Sequence, residues 1–439
     1  MGIFKAYDIR GKYPDELDGD KAYKIGKAIA TFFNVNEIVV GRDNRTSSDE
    51  IFNSVCKGLN EMGVNVLDIG VVSSPMSYFG VNHLKGKAMV MVTASHNPKE
   101  YNGFKLTREG AIPVSGVSGL KEIEDIYTKG SFKEVASEKG SIKEVDIFDD
   151  YMDHLSKFVK EIHGLKVVVD CGNGVMGPII EGLFSRLFME YVPMYFERDG
   201  NYPNHDPNPM IPDNLKELQA KVKEEGANLG IAFDGDGDRV VFVDEKSNSI
   251  PSDFVTCLLA MQMIKEGDIV IYDLRSSWIV KEIIDEYKGK GEETRVGHSF
   301  IKEHMRKVNA LFAGELSGHY YFRDNFFTDS GIIAALKILS LVSNKGKLSE
   351  LVKPMHKYHK IPETNFDVED KDGALKRIEE KYKDCKVSHL DGIKVETDKY
   401  WFNVRKSNTE SKVRLNLEAK SKIEMEKILN EVSEVIQAK

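Results

Sequence analysis

The stretch EIVVGRDNRTSS, residues 37–48, is a run rich in β-branched residues, then a polar turn, then the start of a helical pattern. LKVVVDCGNGVMG (165–177) and GDIVIYDLRSSWIV (267–280) repeat this order. Such strand-turn-helix units, spaced by roughly the length of a small domain, predict three related α/β domains with mixed sheets.

The last part of the chain has a different pattern. Residues 392–419 read as strand, strand, polar loop and strand, and Ile428, Leu429, Val432, Val435 and Ile436 share one face of a closing helix. We therefore predict a smaller C-terminal α+β domain. Polar and charged tracts at the junctions give predicted domains at 1–146, 147–250, 251–360 and 361–439.

Composition narrows the possible partners. The chain has 439 residues, 41% of them hydrophobic, and a formal net charge of −9, so it lacks the basic field that holds nucleic acid or an anionic membrane. The N-terminus has no apolar signal region, and no apolar run reaches membrane-spanning length. Four scattered cysteines suggest neither a disulfide framework nor a structural zinc site. We expect a cytoplasmic protein that binds neither nucleic acid nor membranes.

Residues 229–245, LGIAFDGDGDRVVFVDE, carry a candidate metal site. Asp234, Asp236 and Asp238 alternate with glycines, which can bend the backbone so that the carboxylates converge on a cation. The spacing imitates an EF-hand with Glu245 at its twelfth position, but Arg239 stands where that loop requires glycine, and the flanks read as strands. A hairpin that binds magnesium is favoured over a calcium site, and a solvated acidic turn is the alternative.

A serine-containing loop follows the apolar run AMVMV at 88–92. Ser95, His96 and Lys105 are expected to emerge from one loop at the carboxyl end of a strand, where ligands of α/β domains bind. Alone, these are also ordinary turn residues. No Gly-x-Ser-x-Gly elbow is present, and a serine paired with a cation site indicates phosphoryl transfer.

Two further loops could bind a sugar phosphate. In FAGELSGHYYF (312–322), the alternating Glu315, Ser317 and His319 are typical of a sugar-binding loop or of an exposed hairpin tip. In VRKSNTESKVR (404–414), the candidates for gripping a phosphate are Arg405, Ser407, Asn408 and Thr409, although a surface turn is equally consistent with them.

A different class of protein is also possible. Gly172, Gly174 and Gly177 form a G-x-G-x-x-G pattern after a strand, and Glu197 falls roughly where a ribose-binding acid would lie. This pattern is typical of a nicotinamide-dependent dehydrogenase. It leaves the aspartate and serine loops unexplained.

Taken in order, the four loops resemble those of the α-D-phosphohexomutase family, most closely its phosphomannomutase/phosphoglucomutase branch. TASHNP resembles the phosphoserine loop, DGDGDR the magnesium loop, GELSGH the sugar loop and RKSNTES the phosphate loop. KAYDIRG (5–11), VGRDNRTS (40–47), GNYPNHDPNP (200–209) and VGHSFIK (296–302) extend the similarity over nearly the whole chain. The resemblance implies four domains around a central cleft.

The resemblance also implies a reaction. Phosphorylated Ser95 would donate its phosphoryl group to one end of a hexose phosphate, and the bisphosphorylated sugar would turn around and return its other phosphate. This interconverts the 1-phosphates and 6-phosphates of mannose or glucose. It implies Mg²⁺ held by Asp234, Asp236, Asp238 and a Ser95 phosphate oxygen, and a glucose 1,6-bisphosphate-type activator.

Other roles follow from the same resemblance. Lys105, Arg10 and His96 are all candidates to move the sugar hydroxyl proton, with Arg239 and His319 as charge partners, while Tyr7, Arg275 and His298 match substrate-contact positions. Ser411 replaces a frequent proline and Arg275 a frequent lysine. Leu316 and Asn408 favour mannose and glucose phosphates over glucosamine phosphate, so a phosphoglucosamine mutase is the alternative. The expected assembly is a monomer or homodimer.

Overall fold

The computed structural model describes residues 2–187, 189–406 and 412–438. The first sheet has seven strands. The strands of this sheet and the helices that accompany them are β1 (Ile9–Lys12), α1 (Gly19–Phe33), β2 (Glu37–Arg42), α2 (Ser48–Glu61), β3 (Asn65–Val71), α3 (Ser74–His83), β4 (Ala88–Val92), β5 (Tyr101–Arg108), β6 (Ile112–Pro113), α4 (Lys121–Lys129) and β7 (Ile142–Glu144).

The second and third sheets have four and five strands. The elements of the second are α5 (Phe148–Ser156), β8 (Lys166–Asp170), α6 (Met176–Leu187), β9 (Glu190–Met194), α7 (Lys216–Glu225), β10 (Leu229–Phe233) and β11 (Val240–Asp244). Those of the third are α8 (Ser252–Met263), β12 (Ile269–Asp273), α9 (Trp278–Glu286), β13 (Lys290–Thr294), α10 (His298–Val308), β14 (Phe312–Gly314), β15 (Tyr320–Phe322), β16 (Thr328–Asp329), α11 (Gly331–Lys345) and α12 (Leu348–Val352).

These three sheets share one topology. The orders β3-β2-β4-β5, β9-β8-β10-β11 and β13-β12-β14-β15 each contain two parallel pairings followed by one antiparallel pairing. Helices connect the parallel strands, as parallel crossovers require. The predicted repeat is confirmed, because its three strand-turn-helix segments are β2–α2, β8–α6 and β12–α9. Each sheet together with its helices forms one unit.

The central strands are apolar because the sheets are covered on both faces. Every residue of β4, β10 and β11 is buried, as expected for strands between layers of helices. One hydrophobic cluster joins the second and third units with one side of the first through residues such as Met76, Phe184 and Leu339. The three units therefore pack as one continuous body.

The fourth sheet is antiparallel and has six strands. Its elements are β17 (His359–Lys360), β18 (Thr364–Asp367), α13 (Lys371–Lys381), β19 (Lys386–Ser388), β20 (Ile393–Glu396), β21 (Tyr400–Lys406), β22 (Lys412–Ala419) and α14 (Lys422–Gln437). This confirms the C-terminal α+β domain. Its own core contains Phe402, Leu415 and the buried face of α14, Ile428, Val432 and Ile436.

Polar contacts attach the fourth unit to the third. The Trp278 backbone N–H donates to Glu418 Oε2 at 2.9 Å, and Trp278 Nε1 donates to Glu396 Oε1 at 2.9 Å. Among the described residues, no helix combines the length and apolarity needed to cross a bilayer.

Candidate active site

Three of the predicted site loops occupy equivalent places in the repeated topology. The serine loop joins β4 to β5, the aspartate loop joins β10 to β11, and the sugar loop joins β14 to β15. Each therefore connects the third strand of its unit to the antiparallel fourth strand. The loops meet, since Ser95 Oγ donates to Asp234 Oδ2 at 2.9 Å and Arg239 forms an antiparallel bridge with His319.

Ser95 is held in an unusual backbone conformation. It is 2% exposed and has φ 50°, in the left-handed region that glycine prefers. The Thr93 hydroxyl accepts from its backbone N–H at 2.9 Å, and His96 Nδ1 lies 3.3 Å from its Oγ. The hydroxyl therefore points at the aspartate loop from a fixed position.

Arg45 organises the serine loop, a role that sequence reasoning missed. Arg45 is 3% exposed, and its guanidinium donates to the carbonyl oxygens of Ser95 (2.6 Å), Asn97 (2.7 Å), Pro98 (2.7 Å) and Tyr101 (3.0 Å). Asp43 Oδ2 accepts from its Nε at 3.1 Å. The motif VGRDNRTS contains both residues, but nothing in its spacing showed that they reach the loop fifty positions away.

The aspartate loop is the predicted hairpin. Asp234 and Asp236 are fully buried and Asp238 is 2% exposed, and their oxygens lie within 4.8 Å of one another. Burial raises the pKa of Asp234 well above its usual value, and the negative charges of Asp238 and Asp236 raise it further. Asp236 Oδ1 is buried without a hydrogen-bond partner among the described residues. A cluster of carboxylates with an unsatisfied oxygen fits a hard cation.

Lys105 lies on strand β5 and not on the serine loop, which corrects the expectation that the loop carries it. Its Nζ donates to Asp236 Oδ2 at 2.6 Å and Asp238 Oδ2 at 2.5 Å. Burial alone would lower the pKa of Lys105, but these carboxylates raise it well above its usual value. Arg10, the second candidate for proton transfer, donates to Asn97 Oδ1 at 2.8 Å and to Asp8. For His96, the third candidate, burial lowers the pKa of the imidazole, and the positive charges of Arg239 and Arg10 lower it further.

His319 links the aspartate loop to the sugar loop. Its Nε2 lies 3.3 Å from Asp238 Oδ1 and its Nδ1 lies 3.3 Å from Glu315 Oε2 and 2.9 Å from Ser317 Oγ. Burial opposes the charged imidazole, but Asp238 and Glu315 help to raise the pKa of His319 to about 9. Arg239 Nε lies 3.9 Å from Asp234 Oδ2, so positive groups surround the carboxylates.

A second basic cluster lies where the third and fourth units meet. Arg275 pairs with Asp273 through Nε (3.0 Å) and Nη2 (2.9 Å), and Arg405 Nη2 donates to Glu363 Oε2 at 3.1 Å. Glu363 also lies near Arg275, at 3.5 Å from its Nη1. Sequence reasoning missed the carboxylates of Asp273 and Glu363. Glu363 stood in a tract that was interpreted as a domain junction. The predicted phosphate ligands Ser407, Asn408 and Thr409 lie outside the described residues.

Tyr7 and His298, both predicted substrate contacts, lie next to each other. The Tyr7 hydroxyl donates to the Val296 carbonyl at 3.0 Å, and the two rings are 5.6 Å apart. Gly297, with φ 131°, passes so close to the Tyr7 ring that a Cβ would approach it to 2.6 Å. His298 Nδ1 is buried without a hydrogen-bond partner among the described residues.

The dehydrogenase alternative is wrong, and the structure gives the reason. A Cβ on Gly174 would lie 2.6 Å from the Gly235 carbonyl, and one on Gly177 would lie 2.1 Å from the Phe196 carbonyl. These glycines let chain segments pack closely, so protein backbone fills the space that a pyrophosphate would need. Glu245 does not belong to the group of mutually close carboxylates, which contains Asp234, Asp236 and Asp238, and it accepts instead from the Ser349 hydroxyl at 2.5 Å.

Comparison with known proteins defines the class. The chain matches four profiles of phosphoglucomutase/phosphomannomutase: alpha/beta/alpha domain I at residues 1–134, domain II at 149–247, domain III at 251–358 and the C-terminal domain at 363–435. These four matches define a hexose phosphate mutase, an enzyme that transfers a phosphoryl group. The chain belongs to the phosphoglucomutase/phosphomannomutase family.

Individual relatives cover almost the whole chain. A phosphomannomutase of Methanocaldococcus jannaschii is 39% identical over 99% of this chain and 97% of its own length. A phosphomannomutase/phosphoglucomutase of Pseudomonas syringae pv. tomato is 38% identical over 97% and 93%. The crystal structure of a phosphoglucomutase/phosphomannomutase family protein from Burkholderia thailandensis matches with a TM-score of 0.92 and 32% identity, covering 99% of this chain and 96% of that one.

Proposed function

We propose that this enzyme interconverts the 1-phosphates and 6-phosphates of mannose and glucose through a phosphoserine at Ser95 and a bisphosphorylated sugar. The observation that carries the proposal is the 2.9 Å hydrogen bond from Ser95 Oγ to Asp234 within a buried set of three carboxylates. A phosphoryl group on this hydroxyl would stand beside a site suited to a cation that neutralises its charge.

Asp234, Asp236 and Asp238 would hold Mg²⁺, which supplies that charge neutralisation when bound. The chain's own residues do the rest. Arg239 and His319 place positive charge beside the carboxylates. The proton of the sugar hydroxyl would be taken and returned by one of the groups nearest the site: His96 contacts Ser95, Lys105 contacts Asp236 and Arg10 contacts Asn97.

Sugar recognition would come from the other loops. Glu315 is held by the Tyr321 hydroxyl at 2.8 Å and by His319, so its carboxylate is fixed for accepting bonds from sugar hydroxyls. Ser317 lies beside it, and Arg405 with residues 407–409 would anchor the phosphate away from Ser95. Tyr7, Arg275 and His298 would complete the pocket. Glucose and mannose differ only at O2, so contacts to other hydroxyls accept both sugars.

Intact-mass analysis of the purified protein before and after phosphatase treatment tests the carrier. We expect one removable phosphate in the wild type and in Ser137→Ala, which changes an exposed serine, and none in Ser95→Ala. Full turnover by a protein without phosphate, after removal of any bisphosphate activator, would overturn the proposal. In a substrate panel, strong preference for glucosamine phosphate would reassign the enzyme to phosphoglucosamine mutases.

A further inference from the structure

Glu363 lies between β17 and β18 of the fourth unit, at the centre of an arginine cluster. Its carboxylate accepts from Asn416 Nδ2 at 3.0 Å, from Arg405 Nη2 at 3.1 Å and from Arg414 Nη1 at 3.3 Å. Arg275 Nη1 approaches it at 3.5 Å. This carboxylate therefore uses the donors of the basic cluster that is proposed to anchor a phosphate.

Among the described residues, each arginine of this cluster already contacts a carboxylate before any ligand arrives. The positive groups are Arg275, Arg405 and Arg414, and the negative groups in contact with them are Glu363, Asp273 and Glu315. An entering phosphate therefore competes with these carboxylates for the guanidinium groups. Affinity for the anion depends on which carboxylate can withdraw.

Glu363 is the carboxylate best placed to withdraw. The Asp273 side chain is fully buried and makes two bonds to Arg275, and Glu315 is 5% exposed, whereas the Glu363 side chain is 23% exposed. The Glu363 carboxylate can move into solvent, and an entering phosphate then replaces it as the counter-charge of the buried Arg405. Asp273 and Glu315 have no comparable path.

The guanidinium of Arg405 has an unused donor at the same place. Arg405 is 2% exposed, and its Nε is buried without a hydrogen-bond partner among the described residues. An oxyanion binds arginine best through two parallel N–H groups, such as Nε and Nη2 on one edge. Glu363 takes Nη2 and leaves Nε, so full bidentate binding of a phosphate requires Glu363 to release its bond.

We propose that Glu363 is a built-in competitor of the substrate phosphate for Arg405. It holds the arginines in position in the free enzyme and yields its place when a phosphate binds, which lowers phosphate affinity and favours release. The identity of the phosphate as that of a sugar rests on the proposed function. A Glu363 that merely held the arginines in place would have the opposite effect, because its loss would weaken binding.

The test measures binding of inorganic phosphate by calorimetry in metal-free buffer. Glu363→Gln keeps the size of the side chain and one acceptor but removes the charge, and should bind phosphate about tenfold more tightly than wild type. Glu396→Gln is the matched control, because Glu396 also bridges the third and fourth units, through Trp278 Nε1, but does not contact the arginines. It should bind phosphate as the wild type does.

The double variant Glu363→Gln/Arg405→Met should lose the tighter phosphate binding of Glu363→Gln. That loss would show that the tighter binding depends on Arg405. Unchanged or weaker binding by Glu363→Gln would overturn the proposal, and so would equal tightening by Glu396→Gln, since that would trace the effect to a loosened contact between units. These outcomes need no turnover and stand even if the proposed reaction is wrong. With sugar phosphate, Glu363→Gln should lower KM and leave kcat equal or lower.

Discussion

Replacing Arg45 with methionine should disable the enzyme while leaving it folded. The guanidinium satisfies the carbonyls of Ser95, Asn97, Pro98 and Tyr101, and only the bond to Ser95 is fully buried. Water can replace arginine at the three outer carbonyls. Water cannot easily reach the inner carbonyl of Ser95, the proposed phosphate carrier.

The expected loss of stability follows from these contacts. One unsatisfied buried carbonyl costs about 1–3 kcal/mol. Asp43 loses its ion pair but still accepts from the hydroxyls of Ser48 and Thr93, so its contribution should lie below the ~3–5 kcal/mol of a wholly stranded charge. Together these give a decrease of about 3–4 kcal/mol in the free energy of unfolding of the first unit.

The loss of catalytic rate in Arg45→Met should be larger in proportion than its loss of stability. Ser95 would relax from its left-handed backbone conformation, and a shift of about 1 Å in a reacting atom costs on the order of a hundredfold in rate. We expect kcat to fall by at least that factor, as measured with glucose 1-phosphate, while urea unfolding still shows a folded protein. Arg42→Met is the control, since Arg42 pairs with Asp49 and Asp68 and does not contact the loop. Wild-type kcat in Arg45→Met would refute the reasoning.

Three other results are expected. Asp236→Asn should lower kcat at least about a hundredfold in Mg²⁺, because it removes a cation ligand. Its thermal stability should change little, because the substitution also relieves repulsion on Asp234. Near-normal turnover would mean that the aspartate loop has only a structural role. Glu315→Ala should reduce kcat/KM for glucose and mannose 1-phosphates alike, by about tenfold or more, whereas a loss confined to one sugar would show that it contacts O2. Burial opposes the charge of Glu363, but Arg275 and Arg405 lower its pKa from 4.5 to about 2; ionised Glu363 therefore stabilises the fold above pH 4.5, and this stability is lost as the pH falls towards 2. Urea titrations should show wild type more stable than Glu363→Gln by about 3 kcal/mol at pH 6, with the difference vanishing towards pH 2; a constant difference would contradict the assignment.

The fold was accessible from the sequence because its signals are local. β-Branched runs with a following turn and helix marked β2, β8 and β12, and the alternating tract after residue 392 marked the C-terminal strands. The aspartate hairpin was also local, since glycines between carboxylates and two apolar flanks define it. Pairing order was not readable, because strands that share a pattern give no sign of which lie side by side.

The site was only partly accessible, because its supporting residues act over long distances in the chain. Arg45 and Ser95 are fifty positions apart, and Arg275 and Glu363 are 88 apart. An arginine or glutamate in a polar tract has the same local signature whether it faces solvent or a buried partner. Lys105 was predicted on a loop because the turn residues before it hid where β5 begins, at Tyr101.

The repeated topology places three loops with different side chains at equivalent positions. Each loop between the third and fourth strands contains a left-handed residue: Ser95 at φ 50°, Gly237 at φ 73° and Gly318 at φ 86°. Glycine adopts this conformation without cost, whereas a serine there is strained by about 1–2 kcal/mol. The first loop carries that strain at Ser95, the proposed phosphate carrier, and Arg45 supplies bonds that hold the loop. The aspartate loop instead uses the freedom of glycine to turn its carboxylates inward. The specialisation of the three units therefore lies in which residue occupies the turn and in what holds it there.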